Sequence, residues 1–264
     1  MADEGAAVSL DLWHTLIYLE PDDEEAYMNA QMELAARALA AAPPSREGAV
    51  RDPGELRRLF EEEYSAAVRA SQQGESITPE RQFLRAAQRS GRAASASTYV
   101  EGLRQLVAST RFQLGPGAID TVRALREAGF RTAVVSNTVG EPGNAFRPTL
   151  RALGFDPWVD TYVFSDEHPW TKPNPAIFRE VLGRLDVTPL RTIHVGDGWS
   201  DVEGARRAGL RAGVLFTGLQ RYGHRYHELF LPAGWTEPET EYRIQALDQL
   251  PALAAELIGG APGR

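Results

Sequence analysis

The chain has 264 residues, 43% of them hydrophobic, no cysteine and a formal net charge of -8. Without cysteine, disulfides, thiolate catalysis and thiolate-ligated metals are excluded, and the acidic balance argues against nucleic acid or an anionic membrane as partner. No apolar run approaches the roughly 20 residues needed to span a bilayer.

The opening Met1-Ala2-Asp3-Glu4 lacks the basic start of a secretory leader, so a cytoplasmic protein is expected. The first apolar run, 6–12, is short and two-sided, as a buried parallel strand should be. The pattern then turns purely helical. A helix over 24–42 stops at Pro43-Pro44, a second opens at Pro53, a third is capped by Thr78-Pro79, and a fourth is expected over 99–112. From Gly115-Pro116-Gly117 onward, helices and strands alternate. Helices are expected over 118–128, 175–185, 201–208 and 251–258, with a turn near Leu150. Strands are expected over 131–135, 161–164, 192–195 and 211–216, with a short last one over 243–247. That alternation predicts an α/β fold, a Rossmann-like doubly wound parallel sheet covered on both faces. The expected core is 1–17 with 114–264, interrupted by an all-helical block over 18–113.

Four polar clusters fall beyond four expected strands: Asp11, Ser136-Asn137-Thr138, Lys172, and Asp197 with Asp201. In an open α/β sheet, ligands bind outside the carboxyl ends of the strands, so these groups should share one crevice. Separated carboxylates suit Mg²⁺, which binds through one or two acids plus substrate phosphate. Lysine and hydroxyl groups hold phosphate oxygens, and an aspartate is a competent nucleophile toward phosphorus.

With these residues stand four ordered motifs: Val8-Ser9-Leu10-Asp11-Leu12-Trp13-His14-Thr15-Leu16, Ala133-Val134-Val135-Ser136-Asn137-Thr138, Lys172-Pro173-Asn174-Pro175-Ala176-Ile177-Phe178, and His194-Val195-Gly196-Asp197-Gly198-Trp199-Ser200-Asp201. On them the chain resembles the haloacid dehalogenase-like hydrolase superfamily, and its helical block matches the position of that family's C1-type cap. The resemblance implies a phosphatase-like enzyme acting on a small phosphorylated substrate, as a monomer or homodimer, with Mg²⁺ as cofactor. It implies Asp11 as nucleophile and metal ligand, and the Trp13 backbone carbonyl as a second ligand. Ser136 and the Asn137 backbone would bind the phosphoryl group. Lys172 would orient Asp11 and offset charge. Asp197 would bind the metal, and Asp201 would support it or pair with Lys172.

Two positions depart from the family pattern. Trp13 stands where its phosphatases carry an aspartate that protonates the leaving oxygen, help typically worth ~10²–10⁴-fold in rate. An indole offers an N–H donor and does not titrate. His14 stands where the family usually has glycine, and it is either a displaced acid–base group or a turn residue packed locally. The dehalogenases proper also have an aromatic residue at the Trp13 position but use no metal, so a 2-haloacid dehalogenase is the alternative enzyme. A catalytically impaired binding module is the alternative from another class. Of the remaining features, Tyr222, His224, Tyr226 and His227 form an aromatic patch, and His168 with Trp170 precede Lys172. Tyr27, Met28 and Met32 lie at helical spacing, as packing residues or as contacts offered to substrate.

Overall fold

The computed structural model describes residues 5–219 and 240–259, so the Tyr222–His227 patch lies outside the described residues. The central sheet has six parallel strands in the order β5-β4-β1-β6-β7-β8. They are β1 (Ala7–Leu10), β4 (Arg131–Ser136), β5 (Thr161–Phe164), β6 (Thr192–Gly196), β7 (Ala212–Phe216) and β8 (Arg243–Ile244). β1 lies mid-sheet, paired to β4 on one side and β6 on the other. Each of its residues is buried, which is why that run carries no polar alternation.

Successive strand side chains serve opposite faces. Val8, Leu10, Val134, Ile193 and Val214 enter one apolar cluster with α5 (Ala118–Glu127), α6 (Phe146–Ala152) and α9 (Leu250–Ile258). Ala7, Ala133, Val135 and Val163 enter another with α7 (Pro175–Leu185) and Ala205 of α8 (Trp199–Arg207). The two helical layers predicted from the alternation are therefore present. α8 begins at Trp199 rather than 201, which puts Asp201 in its first turn, where the helix dipole favours an acid. The expected first strand was longer; the chain leaves regular pairing after Leu10, although Asp11 N–H still donates to Val195 O at 2.8 Å. The last strand likewise shrinks from the expected 243–247 to two residues.

Between the first two sheet strands lie α1 (Pro21–Ala41), α2 (Pro53–Gln72), α3 (Pro79–Ser90) and α4 (Ser97–Ser109). Each of the first three has proline in its first turn, where the missing N–H costs nothing. Asp52 and Thr78 accept from the N–H groups of Glu55 and Arg81. The four helices enclose their own core around Leu39, Phe60, Phe83, Tyr99 and Leu103. α4 spans 97–109 instead of the expected 99–112, because the chain then extends into a short antiparallel ribbon. That ribbon, β2 (Ile17–Tyr18) with β3 (Gln113–Leu114), joins the helices to the sheet. At its base a Cβ on Gly115 would lie 2.6 Å from Thr15 O, so only glycine admits so close a strand approach.

Candidate active site

Asp11, Ser136, Lys172, Asp197 and Asp201 line one cavity of about 140 Å³ between the sheet and the helical block. Lys172 is its anchor, 1% exposed. Its Nζ donates to Asp11 Oδ1 at 2.5 Å, Asp201 Oδ1 at 2.6 Å and Val135 O at 2.8 Å. All three donor positions of the ammonium are thereby used. Asn137 fixes the lysine from behind, its side chain accepting from Lys172 N–H and donating to Lys172 O. The resemblance pointed to the Asn137 backbone; the side chain has this separate structural task.

Asp201 is shaped by its surroundings. It accepts from the Gly198 N–H at 3.0 Å and faces His194 Nε2 at 3.0 Å. Gly196 makes room, since a Cβ there would meet the Asp201 carboxyl at 2.2 Å. His194 is fully buried, and its Nδ1 lies 2.9 Å from Ser9 Oγ. Burial holds His194 below its ordinary pKa, so it is neutral, and the Asp201 contact places its proton on Nε2 with Ser9 donating to Nδ1. Burial alone would raise Asp201, but the Lys172 charge and the His194 hydrogen bond hold it below the usual carboxylate range. Asp11 goes the other way. Burial, with Asp201 and Asp197 as like charges, pushes it up to about 7 against the pull of Lys172. Lys172 thus bridges both carboxyls, with Asp11 the more basic of the two.

The carboxylate oxygens of Asp11, Asp197 and Asp201 include a set lying within 4.8 Å of one another. Three acids against one lysine leave excess negative charge, and an all-oxygen set matches a hard divalent cation. Ser136 Oγ is buried without a partner, which equips it to bind a ligand oxygen.

Trp13 turns its ring into an aromatic group with Tyr27, Phe112 and Phe146, at centroid distances of 5.9, 5.4 and 5.9 Å. It forms part of the cavity wall. His14 adopts φ 54°, the left-handed conformation that glycine takes most easily. Its Nε2 lies 3.1 Å from Glu24 Oε1, on α1, and its Nδ1 lies 3.7 Å from Asp197 Oδ2. Burial would lower its pKa, yet the Glu24 hydrogen bond and the Asp197, Glu24 and Asp11 charges raise it. Glu24, His194 and Ser9 were not singled out from the sequence. A histidine inside the apolar run of β6 was the one available signal. His168 and Trp170 stack on each other at 5.3 Å and are not among the residues that line the cavity. Tyr27 and Met28 do line it, whereas Met32 belongs to the core of the helical block.

A parallel sheet with a lysine clamped between a strand-end aspartate and one in the first turn of a helix, beneath inserted helices, is the framework of a hydrolase with an α/β fold. The sequence model of the haloacid dehalogenase-like hydrolases matches residues 6–209, and the chain belongs to that family. The phosphoglycolate phosphatase (plasmid) of Cupriavidus necator is 31% identical over 149 residues, 55% of this chain and 59% of that protein. The chain spans about half the length of the curated relatives it matches. An HAD phosphatase from Thermococcus onnurineus superposes with TM-score 0.59 at 23% identity, covering 97% of this chain and 98% of that one. A 2-haloacid dehalogenase from Pseudomonas syringae pv. Tomato DC3000 gives 0.61 at 22%, covering 96% and 99%. These two likenesses establish the fold. Among the described residues no helix is long and apolar enough to cross a membrane.

Proposed function

We propose that the protein is a Mg²⁺-dependent phosphohydrolase that acts on a small phosphorylated metabolite through an aspartyl-phosphate on Asp11. The observation that carries this reading is Lys172 Nζ bound to both Asp11 and Asp201, with Asp197 and the unpartnered Ser136 Oγ in the same cavity. The phosphoglycolate phosphatases among its relatives support it. Asp11, Asp197, Asp201 and the Trp13 carbonyl would hold the cation. Bound there, Mg²⁺ would offset the charge of the transferring phosphoryl group and favour the ionised form of Asp11.

In this reading an Asp11 carboxylate oxygen attacks phosphorus, the bond from phosphorus to the ester oxygen breaks, and the leaving oxygen takes a proton. Ser136 Oγ and the Asn137 N–H hold the phosphoryl oxygens while Lys172 keeps Asp11 in place. His14, positioned by Glu24, gives the proton that Trp13 has none to supply. It then takes one from the water that cleaves the aspartyl-phosphate, releasing inorganic phosphate and restoring Asp11. Residues 18–113 act as a cap over the core formed by 1–17 and 114–264, excluding water and selecting the substrate.

A panel of phosphate esters and 2-haloacids, assayed with and without Mg²⁺, tests the reading. Phosphate release that needs Mg²⁺ is expected, with a loss of about 10⁴-fold or more in Asp11→Asn. Metal-independent halide release would identify a dehalogenase instead. No turnover together with no Mg²⁺ binding would identify a binding module.

A further inference from the structure

The cavity holds a second buried carboxyl that the reaction above does not use. Glu141 follows β4 in the chain, is 7% exposed and lines the same cavity as Asp11. Its neighbour Gly140 is pressed against the helical block, where a Cβ would stand 2.4 Å from Gln31 Oε1 and 3.2 Å from Tyr64. The Glu141 carboxyl is thus held at the seam between the β4 loop, α1 and α2.

The groups around it are polar but uncharged, apart from another acid. Tyr27, the Gly140 N–H and Gln31 stand beside the carboxyl, and the charged group acting on it most strongly is Asp166. Tyr27 is 5% exposed and Gln31 fully buried. Tyr27 and Gln31 are the side-chain donors nearest the carboxyl, but their geometry falls short of complete hydrogen bonds. Buried polar atoms without partners are uncommon and costly, and a buried carboxylate without a cation costs more. A ligand bearing positive charge and N–H donors would give the carboxylate its missing counter-ion. The wall of the same cavity includes Trp13, Tyr27, Met28 and Tyr64, and aromatic faces also attract cations.

We propose that Glu141, with Tyr27, forms a recognition site for an ammonium group on the leaving portion of the substrate, whose apolar middle lies along the aromatic wall. Only the phosphoryl end of this substrate rests on the phosphohydrolase reading. The ammonium donates to the Glu141 carboxylate, while Tyr27 Oη donates to the free carboxylate oxygen. A hydroxyl in the same place gains the hydrogen bonds but not the charge pairing.

Calorimetric binding of two phosphate-free phenols, 4-(aminomethyl)phenol and its neutral isostere 4-ethylphenol, tests the site in wild type and in Glu141→Gln. At pH 8 the amine is expected to bind the wild type about tenfold more tightly or better, and that advantage should fall below about twofold in the variant. Equal binding, or tighter binding of the ethyl compound, in the wild type alone overturns the proposal, whether or not the variant folds. The matching aryl phosphates, assayed with Mg²⁺, separate the two ideas. Hydrolysis of both esters at equal kcat/KM, with no binding preference, would reject the ammonium site and keep the phosphohydrolase. An intact binding preference with neither ester hydrolysed would reject the phosphohydrolase and keep the site.

Discussion

At the sheet end of the cavity, Asp201 faces Lys172, His194 and the Gly198 N–H, and it is held below the ordinary carboxylate range. At the helical end, Glu141 is about as deeply buried but has only uncharged donors and a second acid nearby, and burial pushes it up to about 7. Burial opposes ionisation in both places. The partner decides the outcome: a paired charge survives in the interior, and an unpaired one keeps its proton or awaits a counter-ion.

The strongest way to break this contrast is to remove the partner. Lys172→Ala strands Asp11 and Asp201 in the interior, and urea denaturation without added metal should show a loss of ~3–5 kcal/mol. Next comes the proton supply. His14→Asn should lower kcat/KM, which reports the phosphoryl-transfer step, about 10²-fold or more for alkyl phosphates but within about tenfold for aryl phosphates, which leave readily. Equal losses of kcat/KM on both classes would remove His14 as the acid that protonates the leaving oxygen.

Glu141→Gln sharpens the comparison from the other end. Its pKa is raised from 4.5 to about 7 in the folded chain, so the native state retains a proton that the unfolded chain has released. Stability therefore falls as pH rises from about 4.5 to about 7 and levels off above, by at most ~3 kcal/mol from this group. The variant should match the wild type near pH 4 and exceed it at pH 8 in thermal melts. A variant that is less stable at both pH values would show that the carboxyl is charged and paired after all. The smallest effect belongs to the surface. Arg57 pairs with Glu33 and Glu61 on the outside of the helical block, and Arg57→Ala should cost less than ~1 kcal/mol.

How much of this was legible follows from the range of each interaction. Asp11, Lys172, Asp197 and Asp201 could be singled out because each sits where a strand or motif ends, and a parallel sheet gathers those ends at one edge. The sequence pattern of 192–196 likewise carried its strand, because every residue in it is buried. Glu24 and Glu141 carried no comparable mark. Glu24 looks like an ordinary first-turn acid of α1, and its bond to His14 depends on how the helices settle against the sheet. Glu141 depends on the close approach of Gly140 to α1 and α2, which no local pattern encodes. The β2–β3 ribbon was missed because two residues per strand are too few to show a period.

That ribbon carries both chain crossings between the sheet and the inserted helices, at Ile17–Tyr18 and Gln113–Leu114. Any swing of the helices must therefore pivot there. His14 lies on the sheet side of the pivot and Glu24 on the helical side, 3.1 Å apart. Swinging the helices outward pulls that pair open and takes Tyr27 and Gln31 away from Glu141 in the same stroke. Under the proposed mechanism, access to the cavity and readiness of its histidine would be tied to one mechanical coordinate, and the enzyme would be armed only when shut.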